Sequence, residues 1–174
     1  MLHLRKALPE DIPVLSRLAA DTFRQTYGGF DAEADIDAYI SEHFHPETLA
    51  QALAAPLHHF WLAFGPEAQA LGYAKAIAAQ SPSQRLSAAK GFQIEKIYVR
   101  QEAQGLGIGQ ALMQQCLTEA QAWAAEYLWL GVWKDNHKAI RFYEQFGFHI
   151  AGNYRFTMGS TTYEEDYFML KNLV

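Results

Sequence analysis

The sequence predicts an α/β protein of three layers, a mixed sheet flanked by helices. Apolar residues recur at helical spacing in some segments and in short runs of strand length in others. Taken in order these segments read β-α-α-α-β-β-β-α-β-α-β-β, and strands arranged so need helices over their faces. A strand-like segment carrying Ile94, Ile97, Tyr98 and Val99 also breaks into a polar turn. There three alternating glycines, Gly105, Gly107 and Gly109, open an apolar-periodic helix. At 174 residues, half of them hydrophobic, the chain can bury a substantial core and is expected to form one domain over 1–174.

Leu2 to Ala7 reads as an opening strand. Pro9, Glu10 and Asp11 place a proline and two acids at a helix start. Ile12, Leu15, Leu18, Ala19 and Thr22 then recur at helical spacing until Gly28 and Gly29 end the element. A second helix is expected over Ala32 to Phe44, with Ile36, Tyr39 and Ile40 as its apolar face. Its carboxylates, Asp31, Glu33, Asp35, Asp37 and Glu42, read either as a solvated face or as a rim that attracts a cationic substrate. Pro46 to Ala54 fits a short third helix, and His59 to Phe64 with Ala70 to Ala78 form a hairpin-like pair of strands around Gly65-Pro66. Residues 80–91, rich in Ser and Ala, are the expected mobile connection.

After the glycine turn, Ile108, Leu112, Cys116, Ala120 and Trp123 step by three or four and form one buried stripe. Cys116 lies on that stripe, which makes it a small core residue rather than a nucleophile. Leu128 to Trp133 is the next strand. Asp135 or Asn136 caps a helix carrying Ala139, Ile140, Phe142, Tyr143 and Phe146, and Gly147 ends it. Phe148 to Met158 and Tyr163 to Leu170 close the chain as two strands around Gly159 to Thr162.

Composition narrows the function. A net charge of -5 argues against nucleic acid and mildly favours a cationic partner. With Cys116 as the single cysteine, no intrachain disulfide can form and a reducing compartment is expected. Met1 to Lys6 carries no apolar leader, and the longest apolar run, Phe60 to Phe64, is too short to span a bilayer. The expectation is a soluble cytoplasmic protein with no membrane partner. The pairs His43/His45 and His58/His59 lack the cysteines or carboxylates that would complete a ligand set, so no metal is expected.

The glycine turn carries the chemistry. At a helix N-terminus the first backbone N–H groups lack intrahelical acceptors, and the macrodipole adds roughly +0.5 charge. Glycine lets a phosphate approach that backbone without meeting a Cβ. A dinucleotide fingerprint would require glycine where Gln110 stands, and a P-loop would require a Lys-Ser/Thr pair that does not follow. Asn136 and Tyr143 stand seven residues apart on one helix, nearly in register with Ala139 between them. Together they offer an amide and a phenol to a ligand, unless Tyr143 only packs with Phe142 and Phe146. Glu95 stands between Ile94 and Ile97, where a charged residue is either solvent-facing, paired with Lys96 or Arg100, or a proton acceptor.

These residues resemble the GNAT (GCN5-related N-acetyltransferase) family. Gln104-Gly105-Leu106-Gly107-Ile108-Gly109 matches its Gln/Arg-x-x-Gly-x-Gly/Ala acetyl-CoA loop. Asn136-x-x-Ala139-x-x-Phe142-Tyr143-x-x-x-Gly147-Phe148 matches its second cofactor-proximal motif. Asp21-Thr22-Phe23, the stretch from Trp129 to Trp133, and Tyr154-x-Phe156-x-Met158-Gly159 are similar to bacterial polyamine (spermidine/spermine) N-acetyltransferases.

The resemblance implies a mixed, mostly antiparallel central sheet of about seven strands and an acetyl-CoA-dependent transfer to a primary amine, most plausibly of a polyamine. It implies that the backbone of Gln104, Gly105, Leu106, Gly107, Ile108, Gly109 and Gln110 holds the pyrophosphate. Backbone groups of Ile97, Tyr98 and Val99 would pair with the pantetheine arm, the Val99 N–H polarising the thioester carbonyl. Asn136 would contact the arm and Tyr143 would protonate the departing thiolate. Glu95, or a water it orders, is the expected base.

Two positions depart from relatives. Gly131 stands where some N-terminal acetyltransferases carry Glu, and Glu144-Gln145 stand where polyamine enzymes tend to carry Lys. The expected partners are a small-molecule amine and, as the macromolecular candidate, a second copy of the chain. Acetylation of a peptide or antibiotic amine, and a non-catalytic module that binds a CoA ligand, are the alternatives.

Overall fold

The computed structural model describes residues 2–174. Within them the elements are β1 (His3–Lys6), α1 (Ile12–Tyr27), α2 (Glu33–His43), α3 (Pro46–Ala54), β2 (His58–Phe64), β3 (Ala70–Ala78), β4 (Gly91–Val99), α4 (Ile108–Ala122), β5 (Tyr127–Val132), α5 (His137–Gln145), β6 (His149–Met158) and β7 (Thr161–Asn172). Their order is the expected one. The seven strands form one sheet in the order β1-β2-β3-β4-β5-β7-β6, in which only β4 and β5 run parallel. A parallel pair needs a crossover, and α4 supplies it.

Both faces of the sheet are covered. Along β2, Phe60 and Leu62 join Leu15, Leu18, Phe23 and Ile36 in one core, whereas Trp61 and Ala63 join Leu112, Met113 and Cys116 in the other. Successive strand side chains point to opposite faces, so a strand buried on both sides reads as a continuous apolar run. The stripe of α4 is buried at Ile108, Leu112, Cys116 and Ala120, but Trp123 at its end is 39% exposed because the helix stops there. Burial pushes the Cys116 thiol up to about 12, so it stays protonated in the core.

One acid of α2 turns inward. Asp35 is buried and accepts hydrogen bonds from the Ser160 backbone N–H (2.7 Å) and the Thr161 hydroxyl (2.7 Å) in the β6–β7 turn, and Tyr163 donates to Asp31. Arg24 takes Asp37 at 2.6 Å and Glu33 at 3.6 Å. Asp35, with Asp31 just before the helix, thus clamps α2 to the β6–β7 hairpin, while Glu33, Asp37 and Glu42 stay exposed as the expected solvated face. The connection 80–91, expected to be loose, is tied to β5. The Trp129 indole N–H donates to the Gln80 carbonyl (3.0 Å) and the Tyr127 hydroxyl to that of Ser87 (2.9 Å).

One irregularity sets up the site. β4 and β5 are paired only from Gly91–Gln93 to Tyr127–Trp129, and beyond that they separate. On its other edge β4 keeps its ladder with β3 to Val99, with a bulge that leaves Glu95 as the extra residue between Ile94 and Lys96. A bulge bends a strand and increases its twist. The result is a cleft in the sheet between the second half of β4 and the end of β5.

Candidate active site

A cleft of 370 Å³ opens where β4 and β5 part. Its walls are the free edge of β4, the glycine turn, the end of β5 and the exposed stripe of α5. Gln104, Gly105, Gly107, Gly109, Gln110, Asn136 and Tyr143 all line it, as do Glu95, Ile97, Tyr98 and Val99. Two members of the turn contribute no side chain there. Ile108 is buried in the core, and Leu106 is 69% exposed; only their backbone groups remain available.

The turn does what its glycines require. Gly105 has φ +84° and Gly107 +80°, the left-handed region in which a Cβ is strained. Gly107 caps α4, and the first intrahelical bond runs from the Ala111 N–H to the Gly107 carbonyl (3.0 Å). The N–H groups of Ile108, Gly109 and Gln110 therefore have no acceptor within the helix. A Cβ on Gly109 would meet Phe142 at 3.5 Å, so this glycine also lets α4 and α5 approach.

The free edge of β4 follows from its register. Tyr98 opposes Tyr73, and the Arg100 N–H donates to the Leu71 carbonyl (2.8 Å). In an antiparallel pair the hydrogen-bonded positions alternate, so Ile97 and Val99 turn their N–H and C=O groups away from β3 into the cleft. Tyr98 turns its backbone toward β3. Of the three residues expected to hold an arm by their backbones, two are so oriented; Tyr98 is not, and its ring packs with Phe23 and Tyr73.

Asn136 is the N-cap of α5, its Oδ1 accepting from the Ala139 N–H at 3.1 Å, which leaves the amide NH₂ for a ligand. Tyr143 is buried at 9% exposure yet faces the cleft. Burial raises its phenol above the ordinary value, so it stays a protonated donor. Packing with Phe142 and Phe148 and lining the cleft are both true of it.

Glu95 is where expectation and geometry part. Its carboxylate meets Lys75 at 2.5 Å and Lys96 at 3.2 Å. Burial alone would raise its pKa, but Lys96 and Lys75 outweigh burial and hold it at about 2. A carboxylate so paired accepts no proton near neutrality. Lys96 itself lies 5.6 Å from the centre of the Tyr39 ring; burial opposes its charge, but Glu95 and Tyr39 keep it protonated. The triad of two lysines and one carboxylate is structural, and it leaves an excess positive charge at the end of the cleft.

A second pocket adjoins the first, the two meeting at Glu95, Lys96, Tyr98 and the end of β5. Its walls come from α1, α2, β6 and β7, and include Tyr27, Tyr39, Tyr154 and Phe156. Gly131 has a steric reason to be glycine: a Cβ there would stand 2.6 Å from the ring of Tyr154, which is braced edge-on against Trp129.

Three residues at the site were not anticipated. Lys138, on the first turn of α5, lines the cleft and donates to the Gln104 side chain beside the glycine turn. Its place two residues after Asn136 was the available signal. It supplies a cation where the lysine absent at 144–145 was missed. His43 lines the second pocket, its pKa lowered chiefly by burial, and Asp166 lies on the wall formed by β7. Neither stands in a motif.

The chain has recognisable relatives. The family described as "Acetyltransferase (GNAT) family" matches residues 18–148. An uncharacterised N-acetyltransferase of Mycobacterium bovis is 30% identical over 164 residues, covering 94% of this chain and 99% of that protein. An uncharacterised N-acetyltransferase encoded in the pepI 3' region of Lactobacillus delbrueckii subsp. lactis is 26% identical, covering 95% and 94%. In fold, the chain is similar to the PaiA N-acetyltransferase of Thermoplasma acidophilum in complex with coenzyme A, at a TM-score of 0.82, with 20% identity and 99% of each chain covered.

Proposed function

The chain belongs to the GNAT family of acetyltransferases, and from that premise we propose that it transfers the acetyl group of acetyl-CoA to a primary amine by direct attack in a ternary complex. One observation carries this reading. The free β4 edge, the unpaired N–H groups opening α4 and the protonated phenol of Tyr143 all face one cleft, and a second pocket meets it at the end of β5.

The residues fit an extended thioester carrying a pyrophosphate. Backbone N–H groups of Gly105 through Gln110 take the pyrophosphate with Lys138 alongside. Ile97 and Val99 hold the arm in strand fashion. The Val99 N–H is placed to hydrogen-bond the thioester carbonyl oxygen and stabilises the negative charge that grows there as the amine attacks. Asn136 holds the arm through its free NH₂. Tyr143 gives its proton to the sulfur as the C–S bond breaks. Cys116 is too deeply buried to form an acetyl-enzyme.

The attacking nitrogen must be neutral. With Glu95 locked, the base passes to His43, an imidazole in the second pocket whose lowered pKa leaves it neutral and able to accept a proton. Lys96, at the meeting point, also favours the uncharged amine over the ammonium.

For the acceptor we propose a small cationic amine of the polyamine type. Tyr154 and Phe156, two of the residues on which the likeness to polyamine acetyltransferases rests, form a wall of the acceptor pocket. Aromatic faces suit ammonium groups. The test is an amine panel read by release of free CoA, with spermidine, an N-terminal peptide and an aminoglycoside as three arms. Spermidine is the preferred acceptor. Preference for either other arm replaces the polyamine assignment, and tight acetyl-CoA binding without turnover on any amine replaces the enzyme with a CoA-ligand-binding module.

A further inference from the structure

The acceptor pocket holds a buried carboxylate without a cationic partner. Asp166 is 4% exposed and lines that pocket. Its Oδ1 accepts the Lys134 backbone N–H at 3.2 Å, while the Lys134 ammonium is taken by Glu165 at 2.8 Å. Among the described residues no Lys, Arg or His side chain forms an ion pair with Asp166. Burying a carboxylate without a counter-charge is costly, and natural proteins rarely keep one without a use. Burial is also the chief cause that raises its pKa, as an absent counter-ion would.

Its surroundings point to a ligand cation. Tyr154 faces Asp166 across the β6–β7 ladder. Tyr27 and Trp133, whose rings stand 6.4 Å apart, line this pocket on the side where it meets the donor cleft. A carboxylate among aromatic faces is a site for an ammonium group. The charges elsewhere in the pocket fix the polarity. Lys96, beside Lys75 and Glu95, lies where the two pockets meet, and Arg155 is turned to Glu164 at 3.3 Å. Asp166 lines only the acceptor pocket and not the donor cleft, so it is set back from the place of reaction.

We infer that Asp166 anchors a second ammonium of the acceptor, remote from the nitrogen that is acetylated, and so selects diamines and longer polyamines over monoamines. This rests on the acetyltransferase reading and assigns it a specificity residue. One end of the acceptor stays charged on Asp166 among the rings of Tyr27, Trp133 and Tyr154. The other end reaches past Lys96 as the neutral amine. A molecule with a single amine can fill one end only.

The test compares α,ω-diamines of four to eight carbons with alkylamines of the same length, in the wild-type chain and in Asp166→Asn, which keeps the bond from the Lys134 N–H. A hydrogen-bonded charge pair predicts that kcat/KM for the diamine falls about 10- to 100-fold further than that for its monoamine. Equal losses on both, or no loss on either, overturn the assignment. Calorimetric titration without acetyl-CoA separates this inference from the enzymatic one. The wild-type chain binds the mono-N-acetyl diamine, whose remaining ammonium is the one held by Asp166, about 10- to 100-fold more tightly than Asp166→Asn does. If that holds while no amine is acetylated, the anchor stands and the enzymatic reading falls. If Asp166→Asn binds that form as tightly as the wild-type chain does, the anchor falls, whether or not acetyl transfer is found.

Discussion

The donor cleft and the acceptor pocket share an edge but are built by different means. The donor side is mostly backbone: the free edge of β4, the N–H groups of a left-handed turn and the start of α4, with Asn136 and Tyr143 added from α5. Its key residues fall within 94–110 and 136–143. The acceptor side is mostly side chains from α1, α2, β4, β6 and β7, among them Tyr27, His43, Lys96, Tyr154 and Asp166, drawn from almost the whole chain. A backbone site demands glycine at fixed positions, whereas a side-chain site can be met by many combinations. The first therefore leaves a motif in the sequence and the second leaves none.

Substitutions on the two sides should separate in what they alter. The largest effect falls on the proposed proton donor of the donor side. Tyr143→Phe keeps the packing with Phe142 and Phe148 but removes the proton, so kcat falls about 100- to 10,000-fold while acetyl-CoA affinity measured by titration is unchanged. On the acceptor side, His43→Gln lowers kcat/KM for the amine about 100-fold without weakening acetyl-CoA binding. It also removes an acid limb, which in the wild-type chain lies below pH 6.5 because burial lowers the imidazole pKa from that value. On the donor side, Gly107→Val forces a β-branched residue to φ +80°. That costs about 1–3 kcal/mol and puts a Cβ where the phosphate would lie, so acetyl-CoA affinity falls roughly 10- to 100-fold with diamine binding retained.

Glu95→Gln sharpens the comparison differently, because Glu95 touches both sides and is read as structural. Removing it leaves two lysines without their carboxylate, lowering stability by about 3 kcal/mol as read from denaturant unfolding. This is the low end for a buried pair, because the Glu95 side chain is still 22% exposed. The turnover of the folded enzyme changes little; a base would show the opposite, lost turnover at unchanged stability. The sign with pH is fixed. The carboxylate is held at about 2 against an ordinary 4.5, so its stabilisation is full above pH 4.5 and is lost as the pH falls toward 2. Glu95→Gln loses that part of the acid dependence. The smallest effect is Lys138→Gln, which raises KM for acetyl-CoA about 3- to 5-fold and weakens its dependence on salt, since the lysine acts from a solvated position.

The sequence determined the element order, the mixed sheet and the glycine turn beside the Asn136–Tyr143 stripe, because each rests on local rules. Periodicity assigns helix and strand, and a left-handed turn before α4 admits little besides glycine. Asn136 and Tyr143 share a face through helix geometry alone. What it left undecided depends on neighbours far along the chain. From its own strand Glu95 read as solvent-facing, as paired with Lys96 or Arg100, or as a base, and only the β3 partner Lys75, with the bulge that turns Lys96 to the same side, decided for the ion pair. The acids of α2 read alike as a solvated face or a substrate rim, and only the β6–β7 turn closing on Asp35 set that one apart. Asp166 and His43 carry no motif, because their surroundings exist only after strands and helices remote in sequence have packed around one pocket. Burial and charge pairing are properties of that packing, and they decide which carboxylate is a strut and which is free to receive a substrate.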